Sequence, residues 1–370
     1  MESSNQVVAT EEKLTNQINN LRNRLKTDKM DMSFGEIMNM YERNEIIIDP
    51  EFQRLYRWNL EQKTRFMESL LLGVPIPPIF VAETTTDGRW ELVDGLQRLS
   101  TVLSFFGILK SERQDIESLN NWTLSSGDLI EDELEGYNRN NLPLKYQLNL
   151  KRAVCRVEII KWDSKWDMRY ELFSRLNTGG TLLTDQEIRN AIFRKGLPKF
   201  YTFIDEAVKN VKYKELTSLS SKQLSEKYDH ELVVRFASLV DNWGDVDKAI
   251  SLYMTSFMRN LLDNKKDISN ETIYKFNEVV DLLHASGKQV FRFPTGMSIF
   301  SSSLYEGIMI GIASNLEHYK ANPASITERI DDLKNDDIFK KNSGTASNSK
   351  NRTKNRIKRA LEVFGGDISE

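Results

Sequence analysis

The chain has 370 residues, a formal net charge of −3 and 39% hydrophobic residues. This length predicts about two domains with apolar cores, and the net charge means that any nucleic-acid binding needs a local basic patch. The single cysteine, Cys155, excludes a disulfide framework and a thiolate metal cluster. The sequence shows no signal peptide and no membrane-length apolar run, so we expect a cytoplasmic protein.

The first part of the chain predicts a helical extension over 1–32, because apolar residues recur at helical spacing from Leu14 to Leu25. Ser33 is then placed as the N-cap of a short helix, with Glu36 completing a capping box. A β-branched strand follows at 45–48.

The next elements alternate between strands and helices, which predicts a compact mixed α/β unit. Asn59 is the expected N-cap of a helix that Gly73 ends, and strands follow at 79–82 and 90–93. After a polar insertion at 110–143, the alternation between Tyr146 and Lys161 predicts a β hairpin or a pair of strands. Thr184 and Glu187 then form a second capping-box pattern, and helical stripes dominate from Gly196 onward.

The stretch from Trp90 to Phe106 predicts a strand, a glycine turn and a helix, with Asp94 and Gly95 at the turn. A helix N-terminus directs backbone N–H groups and a positive dipole at one point, which suits a phosphate. Gln97 and Arg98 lie in the first helical turn, where their side chains can reach the same anion. The alternative is an ordinary strand-to-helix connection.

The segment Gln53–Trp58, sequence QRLYRW, combines arginines with aromatics. Arg54 and Arg57 can pair with a phosphate, and Tyr56 and Trp58 can stack on a base. Alternatively, the aromatics belong to the core and the arginines form surface ion pairs. A third motif, Asn177-Thr178-Gly179-Gly180, offers backbone donors in a tight turn, or is simply a helix C-cap followed by a loop. Together the three motifs have the form of a nucleotide pocket.

These motifs resemble, in order, the N-terminal domain of the GmrSD-type modification-dependent restriction endonucleases, over about residues 33 to 195. That domain itself resembles the ParB/sulfiredoxin fold. The segments that carry the resemblance are Pro50–Trp58, Ser69–Pro77, Asp94–Arg98 and Leu176–Thr181 followed by Leu183-Thr184.

The resemblance implies a module that binds and hydrolyses a nucleoside triphosphate, with Mg²⁺, in defence against foreign DNA. Carried over by motif, Asp94, Gln97 and Arg98 would be catalytic, with Gly95 in the same phosphate site. The remaining cofactor-binding residues would be Gln53, Arg54, Tyr56, Trp58, Asn177, Thr178, Gly179 and Gly180.

Two departures from the family pattern matter. Leu96 replaces the first Gln of the commoner Asp-Gly-Gln-Gln-Arg motif, which puts hydrolysis in doubt unless Leu96 faces the core. The full restriction enzymes also carry a histidine-centred nuclease domain. His230, His284 and His318 all lie in helical contexts, so we interpret them as structural and expect any nuclease to be a separate subunit.

A basic region near the end of the chain has no acidic residue between 338 and 361. A basic helix in an acidic protein can contact DNA phosphates, and the DNA-binding candidates are Lys354, Arg356, Lys358 and Arg359. The alternative is a helix that docks on the acidic body of the protein through its apolar stripe.

The sequence therefore predicts an α+β protein: a ParB/sulfiredoxin-like mixed α/β domain over 33–184 and an all-helical domain over 185–370. Our leading hypothesis is a nucleoside-triphosphate-binding component of a phage-defence or restriction system, which acts with DNA or a partner nuclease. The alternative is a non-catalytic DNA-binding or adaptor protein with a vestigial pocket. Base preference, sensing of modified DNA and oligomeric state, including a homo-oligomer, stay open.

Overall fold

The computed structural model describes residues 12–20, 22, 26–48, 56–84, 87–110, 116–120, 122–161, 172, 175, 183–287, 290–294, 299–344 and 347–365. The chain divides into two compact units, Met1–Leu182 and Leu183–Glu370. Among the described residues, no helix combines the length and apolar character needed to cross a membrane.

The first unit is built on a five-stranded mixed sheet of order β1-β5-β3-β4-β2. The β1–β5 and β3–β4 pairs are antiparallel, whereas β3–β5 and β2–β4 are parallel. The strands are β1 Thr27–Ser33, β2 Ile46–Ile47, β3 Ile79–Glu83, β4 Trp90–Asp94 and β5 Val154–Ile160. The helices are α1 Phe34–Glu42, α2 Leu60–Leu72, α3 Leu96–Phe105, α4 Ile116–Asn120 and α5 Leu144–Arg152, with a 3₁₀ turn at Glu131–Leu134.

The second unit is helical throughout the part that the structure describes, so the predicted α+β class with a helical C-terminal part is confirmed. Its helices are α6 Asp185–Phe193, α7 Pro198–Lys209, α8 Val211–Thr217, α9 Ser221–Ser225, α10 Tyr228–Leu239, α11 Ile250–Asp263, α12 Asn270–Ser286, α13 Ser302–Ser314, α14 Leu316–Ala321, α15 Ser325–Asn335, α16 Asp337–Lys341 and α17 Lys350–Gly365, with a 3₁₀ turn at Trp243–Asp245.

The predicted helix ends are confirmed where local chemistry defines them. Asn59 and Thr184 each cap a helix within a reciprocal capping box, and Ser33 Oγ accepts the Glu36 N–H at 3.2 Å. Gly73 ends α2 in the left-handed conformation, with φ of 70°.

Two predictions of secondary structure are wrong. The helical extension over 1–32 contains a helical segment at 12–20, but Thr27–Ser33 is the edge strand β1. Leu144–Arg152 is the helix α5 where a strand was expected, although Val154–Ile160 is the strand β5. Both errors have one physical cause: pairing and packing with distant residues outweigh a weak local pattern.

The insertion at 110–143 is fixed to α2 rather than left as an independent loop. The buried carboxylate of Glu68 accepts the N–H groups of Asp128, Leu129 and Ile130 at 3.2, 2.8 and 2.6 Å. Burial raises the pKa of Glu68, but the three hydrogen bonds together lower the pKa by more than burial raises it, so the net shift is downward. Thr64 Oγ1 also accepts the Ser125 N–H at 3.1 Å.

Candidate nucleotide site

The N-terminus of α3 has the predicted strand–turn–helix geometry. Gly95 joins β4 to α3 with φ of 98°, and a Cβ at this position would lie 2.5 Å from Ile79 Cγ2. Both the positive φ and the close approach to β3 require glycine. The Leu99 N–H donates to Gly95 O at 2.8 Å and begins the hydrogen-bond pattern of α3. The three N–H groups before it have no acceptor within the helix, as at any helix N-terminus, and point out of the helix end.

Asp94 and Arg98 face each other across this turn. Arg98 Nη2 donates to Asp94 Oδ2 at 2.8 Å, and the Arg98 side chain is only 14% exposed. The carboxylate at the end of β4 thus fixes the direction of the guanidinium in the first turn of α3. This arrangement places a cation beside a helix N-terminus, which suits an anionic ligand.

Gln97 connects the helix end to the QRLYRW segment. Its Oε1 accepts the backbone N–H groups of Arg57 and Trp58 at 3.0 and 3.1 Å. Because Oε1 accepts both bonds, Gln97 positions the chain in front of α2. In this geometry Gln97 positions the segment, and its predicted catalytic role stays a prediction.

Tyr56 and Trp58 occupy different environments. The Tyr56 ring is buried, and its hydroxyl lies 3.2 Å from Thr101 Oγ1 and 3.3 Å from Ser104 Oγ. The prediction that Tyr56 lines the pocket and stacks on a base is corrected accordingly, because the ring supports the segment from inside the unit. Trp58 is half-buried and packs edge-on against Phe66, with ring centroids 5.6 Å apart.

A polar stripe on α3, which the sequence motifs did not reveal, supports this segment. Gln97, Thr101 and Ser104 recur at helical spacing and all bond to the segment 56–58. Lys63 is a second missed residue: its Nζ lies 5.4 Å from the Tyr56 ring centroid. Polar residues inside an apolar helical stripe were the available signal for both.

Leu96 is buried, with 5% of its surface exposed. It faces the core, which is the alternative that the sequence left open. The departure from the commoner family motif therefore lies inside the unit and removes no side chain from the mouth of the helix end.

Several predicted site residues lie outside the described part of the chain. They are Gln53, Arg54, Asn177, Thr178, Gly179 and Gly180. The structure brings together Asp94, Gly95, Gln97, Arg98 and the segment 56–58.

No cluster of three or more histidine, cysteine or acidic side chains suited to a metal is found among the described residues. The three histidines contact neighbours in the helical unit. His230 Nδ1 lies 3.4 Å from Asn190 Nδ2, His284 Nε2 lies 2.9 Å from Glu215 Oε2, and the His318 ring packs on Tyr319.

The basic helix α17 docks on the helical unit through its apolar stripe. Ile357, Ala360 and Phe364 are buried, and Gly311 of α13 leaves room for Phe364, since a Cβ there would lie 2.5 Å from the ring. This docking is the alternative that the sequence left open for α17. The opposite face carries the exposed cations.

Two of the four predicted DNA contacts have carboxylate partners. Arg356 is fully buried, and its Nε donates to Glu306 Oε2 at 2.6 Å, so Arg356 is removed from the DNA-contacting set. Arg359 donates to Asp336 Oδ2 at 2.8 Å and to Glu362 Oε2 at 2.9 Å. Lys358 is exposed and Lys354 is half-exposed.

The comparison with protein families supplies the deciding observation. Residues 34–194 match the family model described as "GmrSD restriction endonuclease, N-terminal domain". This chain carries a GmrSD N-terminal domain. The match contains α3 with its helix-end site and confirms the resemblance expected from the motifs. It suggests a component of a restriction or phage-defence system. No curated protein and no solved structure shows significant similarity to the chain.

The family match extends twelve residues beyond the end of the first compact unit, from 183 to 194. These residues include α6, whose buried side chains contact the other helices of the second unit. Arg189 Nη1 donates to Ser251 O at 3.1 Å, and Tyr201 donates to the Arg189 carbonyl at 2.8 Å. The last helix of the GmrSD N-terminal domain is therefore part of the helical unit.

Proposed function

We propose that this protein binds and hydrolyses a nucleoside triphosphate as a component of a system that restricts foreign DNA in the cytoplasm. The observation that carries the proposal is the N-terminus of α3 with Arg98 fixed beside it by Asp94. The GmrSD N-terminal domain supports the restriction context. The nuclease activity is assigned to a separate partner subunit.

In this proposal the phosphates lie against the N–H groups at the start of α3, where the helix dipole favours negative charge. Arg98 neutralises a phosphate oxygen, and Gln97 keeps the segment Arg57–Trp58 in front of the site. The donor set of N–H groups and a guanidinium fits a polyphosphate. Mg²⁺ would be held mainly by phosphate oxygens and water, as is common for nucleotide-bound Mg²⁺.

The test is titration calorimetry of the full chain with ATP, GTP, CTP and UTP in the presence of Mg²⁺, together with phosphate release. We expect at least one nucleotide to bind, and the Arg98→Ala variant to lose about tenfold or more in affinity, the equivalent of about 1.4 kcal/mol. Arg43→Ala is the matched control, because Arg43 also pairs with carboxylates in the same unit but lies 57% exposed on α1's C-cap. Absence of binding by any nucleotide would refute the proposal.

The exposed face of α17 supports a second element, which is DNA binding. Lys350, Lys354 and Lys358 recur every four residues on that face, and a helical lysine stripe can follow a phosphate backbone. The non-catalytic DNA-binding or adaptor protein remains the second candidate function. It requires DNA retention by this stripe together with the absence of nucleotide binding.

A further inference from the structure

The outer side of β1 pairs with no other strand in the part of the chain that the structure describes. Sheet order places β1 at the end of the sheet, where its seven residues pair with β5 alone among the described strands. Five of those residues are exposed, including Met30 at 42% exposure, and the last two are half-buried. A strand of this length with open backbone groups is a template for pairing with another chain.

The hydrogen bonds at the two ends of β1 show which backbone groups face outward. Phe34 N donates to Ala153 O at 3.0 Å, and Lys161 N donates to Lys26 O at 2.9 Å. Hydrogen-bonded and non-hydrogen-bonded residues alternate along an antiparallel pair. The backbone N–H and C=O groups of the even-numbered β1 residues therefore point toward β5. The N–H and C=O groups of the odd-numbered residues therefore point away from the sheet. These residues are Thr27, Lys29, Asp31 and Ser33.

We propose that β1 pairs antiparallel with β1 of a second copy of this chain, with Met30 opposite Met30 on a two-fold axis. In this register Lys29 lies opposite Asp31 of the second copy, and all four outward-facing residues form hydrogen-bonded pairs. The interface is isologous, as in most dimers. The proposed dimer goes beyond the proposed nucleotide function and does not depend on that function.

Alternation and charge select this register. A shift by one residue would oppose outward-facing groups with inward-facing groups, so only shifts by an even number of residues are possible. A shift by four leaves just three residues of each seven-residue strand paired. Of the two shifts by two, one places Lys29 opposite Lys29, and the other places Asp31 opposite Asp31. Both put like charges directly across from each other, which is unfavourable. The charges that protect an edge strand from indiscriminate pairing therefore permit one symmetric arrangement.

The dimer would complete a row of alternating charges across four strands. Within one chain Lys29 lies opposite Glu158, and Asp31 lies opposite Arg156, with Arg156 Nε 2.9 Å from Asp31 Oδ1. Pairing adds Lys29 of one copy to Asp31 of the other. The row then reads Glu158, Lys29, Asp31, Arg156, with the sign changing at every step.

One bond must be exchanged for the pairing to form. In the single chain the outward N–H of Lys29 is accepted by Asp28 Oδ1 at 2.8 Å. The carbonyl of Asp31 in the second copy would replace that acceptor. Because two paired strands bury a small area, we expect a weak dimer that forms at micromolar or higher concentration.

Cysteine cross-linking tests the register. Met30→Cys places the two sulfurs at a non-hydrogen-bonded pair on the two-fold axis, where Cα atoms are about 4.5 Å apart and a disulfide can form. We expect mild oxidation to give a disulfide-linked dimer for Met30→Cys and none for Asp28→Cys. Positions 30 and 28 lie opposite Val157 and Ile159, so neither new sulfur lies directly opposite the buried Cys155, which is present in both variants. Equal cross-linking at both positions, or none at position 30, would overturn the proposal.

Charge exchange tests the interface in the unmodified fold. Lys29→Asp and Asp31→Lys each create two repulsive pairs in a self-dimer, whereas a mixture of the two variants forms two attractive pairs. Sedimentation over a concentration series should show at least tenfold weaker self-association for each variant and recovery in the mixture. Lys222→Asp, at a side chain 83% exposed on α9, should associate as the parent does. A parent chain that stays monomeric at all concentrations would also overturn the proposal.

Discussion

Gln97 holds the main chain at Trp58, because its Oε1 accepts the Trp58 N–H at 3.1 Å and the adjacent Arg57 N–H at 3.0 Å. The first turn of α3 and the segment before α2 are thereby one structural element. A ligand bound at the helix end as proposed would be coupled to the residues of this segment through a single amide oxygen. The site depends on Gln97 for its shape.

Two substitutions of Gln97 should separate the effect of losing its hydrogen bonds from the effect of adding a negative charge at the site. Gln97→Leu leaves two N–H groups without their acceptor, and we expect the free energy of unfolding to fall by about 1–3 kcal/mol. Gln97→Glu keeps an acceptor oxygen but adds a negative charge beside the proposed phosphates. We expect its stability to stay within about 1 kcal/mol of the parent while nucleotide affinity falls about tenfold or more. Urea unfolding and calorimetry measure the two effects.

Gln62→Glu is the control for this pair of variants. Gln62 also accepts a backbone N–H, that of Asn59 at 3.1 Å, in the capping box of α2. It should tolerate the acid with nucleotide affinity unchanged. Equal nucleotide affinity in Gln97→Glu and the parent would contradict the positioning of Gln97 beside the phosphates.

Gly95→Ala should destabilise the first unit more than Gly73→Ala. Both glycines have positive φ, but a Cβ at Gly95 would lie 2.5 Å from Ile79 Cγ2, whereas Gly73 has open space around it. We expect a loss of about 2–4 kcal/mol for Gly95→Ala, from strain plus overpacking, and about 1 kcal/mol for Gly73→Ala. Urea unfolding followed by circular dichroism provides the comparison, and equal losses would show that the contact with Ile79 can relax.

Much of the first unit could be predicted from its sequence because its signals are local. Asn59 and Gly73 bound α2 through cap chemistry, and Gly95 marks the turn before α3. The site was predictable to the same extent: Arg98 lies at the helix end where its motif placed it. The acceptor role of Gln97 was not predictable, since its partners lie about forty residues earlier in the chain.

The missed elements lacked a local signal. Thr27–Ser33 is polar and charged, and it is a strand because β5 supplies its hydrogen bonds. Leu148 and Leu150 alternate as strand residues do, yet Leu144–Arg152 is a helix with Leu150 as its buried residue. A short window of apolar residues does not distinguish the two periods.

The direction of a charged side chain was equally hidden. Arg356 lies in a run of basic residues, and sequence alone suggested that it faces solvent. Its partner Glu306 is fifty residues earlier, on α13. Burial of this pair decides how α17 is attached.

Glu306→Gln should strongly destabilise the helical unit. Glu306 is 1% exposed and pairs with both Arg235 and Arg356, which are themselves buried. The substitution leaves two buried guanidinium groups facing a neutral amide, and we expect a loss of about 3–5 kcal/mol. Glu317→Gln, at a side chain 83% exposed, should change stability by less than about 0.5 kcal/mol. Thermal or urea unfolding of both variants makes the test.

The contact between Asp336, the N-cap of α16, and Arg359 of α17 should contribute less to stability in acid. Burial raises the pKa of Asp336, but the hydrogen bonds from Arg359 and from the Phe339 N–H together lower the pKa by more than burial raises it, so the net shift is downward. A carboxyl group with a lowered folded-state pKa stabilises the fold above its unfolded value, near pH 4, and this stabilisation is lost as pH falls through the folded-state pKa.

Asp336→Asn should therefore flatten the acid side of the stability profile. Near pH 7 we expect the variant to be less stable by about 1–2 kcal/mol, because the amide keeps an N-cap acceptor but loses the charge that pairs with Arg359. The difference should shrink as pH falls below about 4. A difference that stays constant from pH 7 to pH 3 would contradict the assignment of the Asp336 carboxylate.

The exposed lysines of α17 should carry any DNA binding, and the buried arginine should not. Replacing Lys350, Lys354 and Lys358 with Glu removes three exposed or half-exposed cations without disturbing the Glu306–Arg356 pair. We expect affinity for a labelled DNA duplex to fall at least tenfold. Because each lost phosphate contact changes the slope of log K against log salt by about 0.9, the slope should become shallower by about 2–3.

The control carries the same change of charge elsewhere on the helical unit. Lys222, Lys265 and Lys266 are exposed, and their replacement with Glu alters the net charge equally. If binding depends only on net charge, both triple variants lose the same affinity in fluorescence anisotropy. Selective loss in the α17 variant locates the DNA contact on its lysine stripe, because local charge density and not total charge sets the number of released counterions.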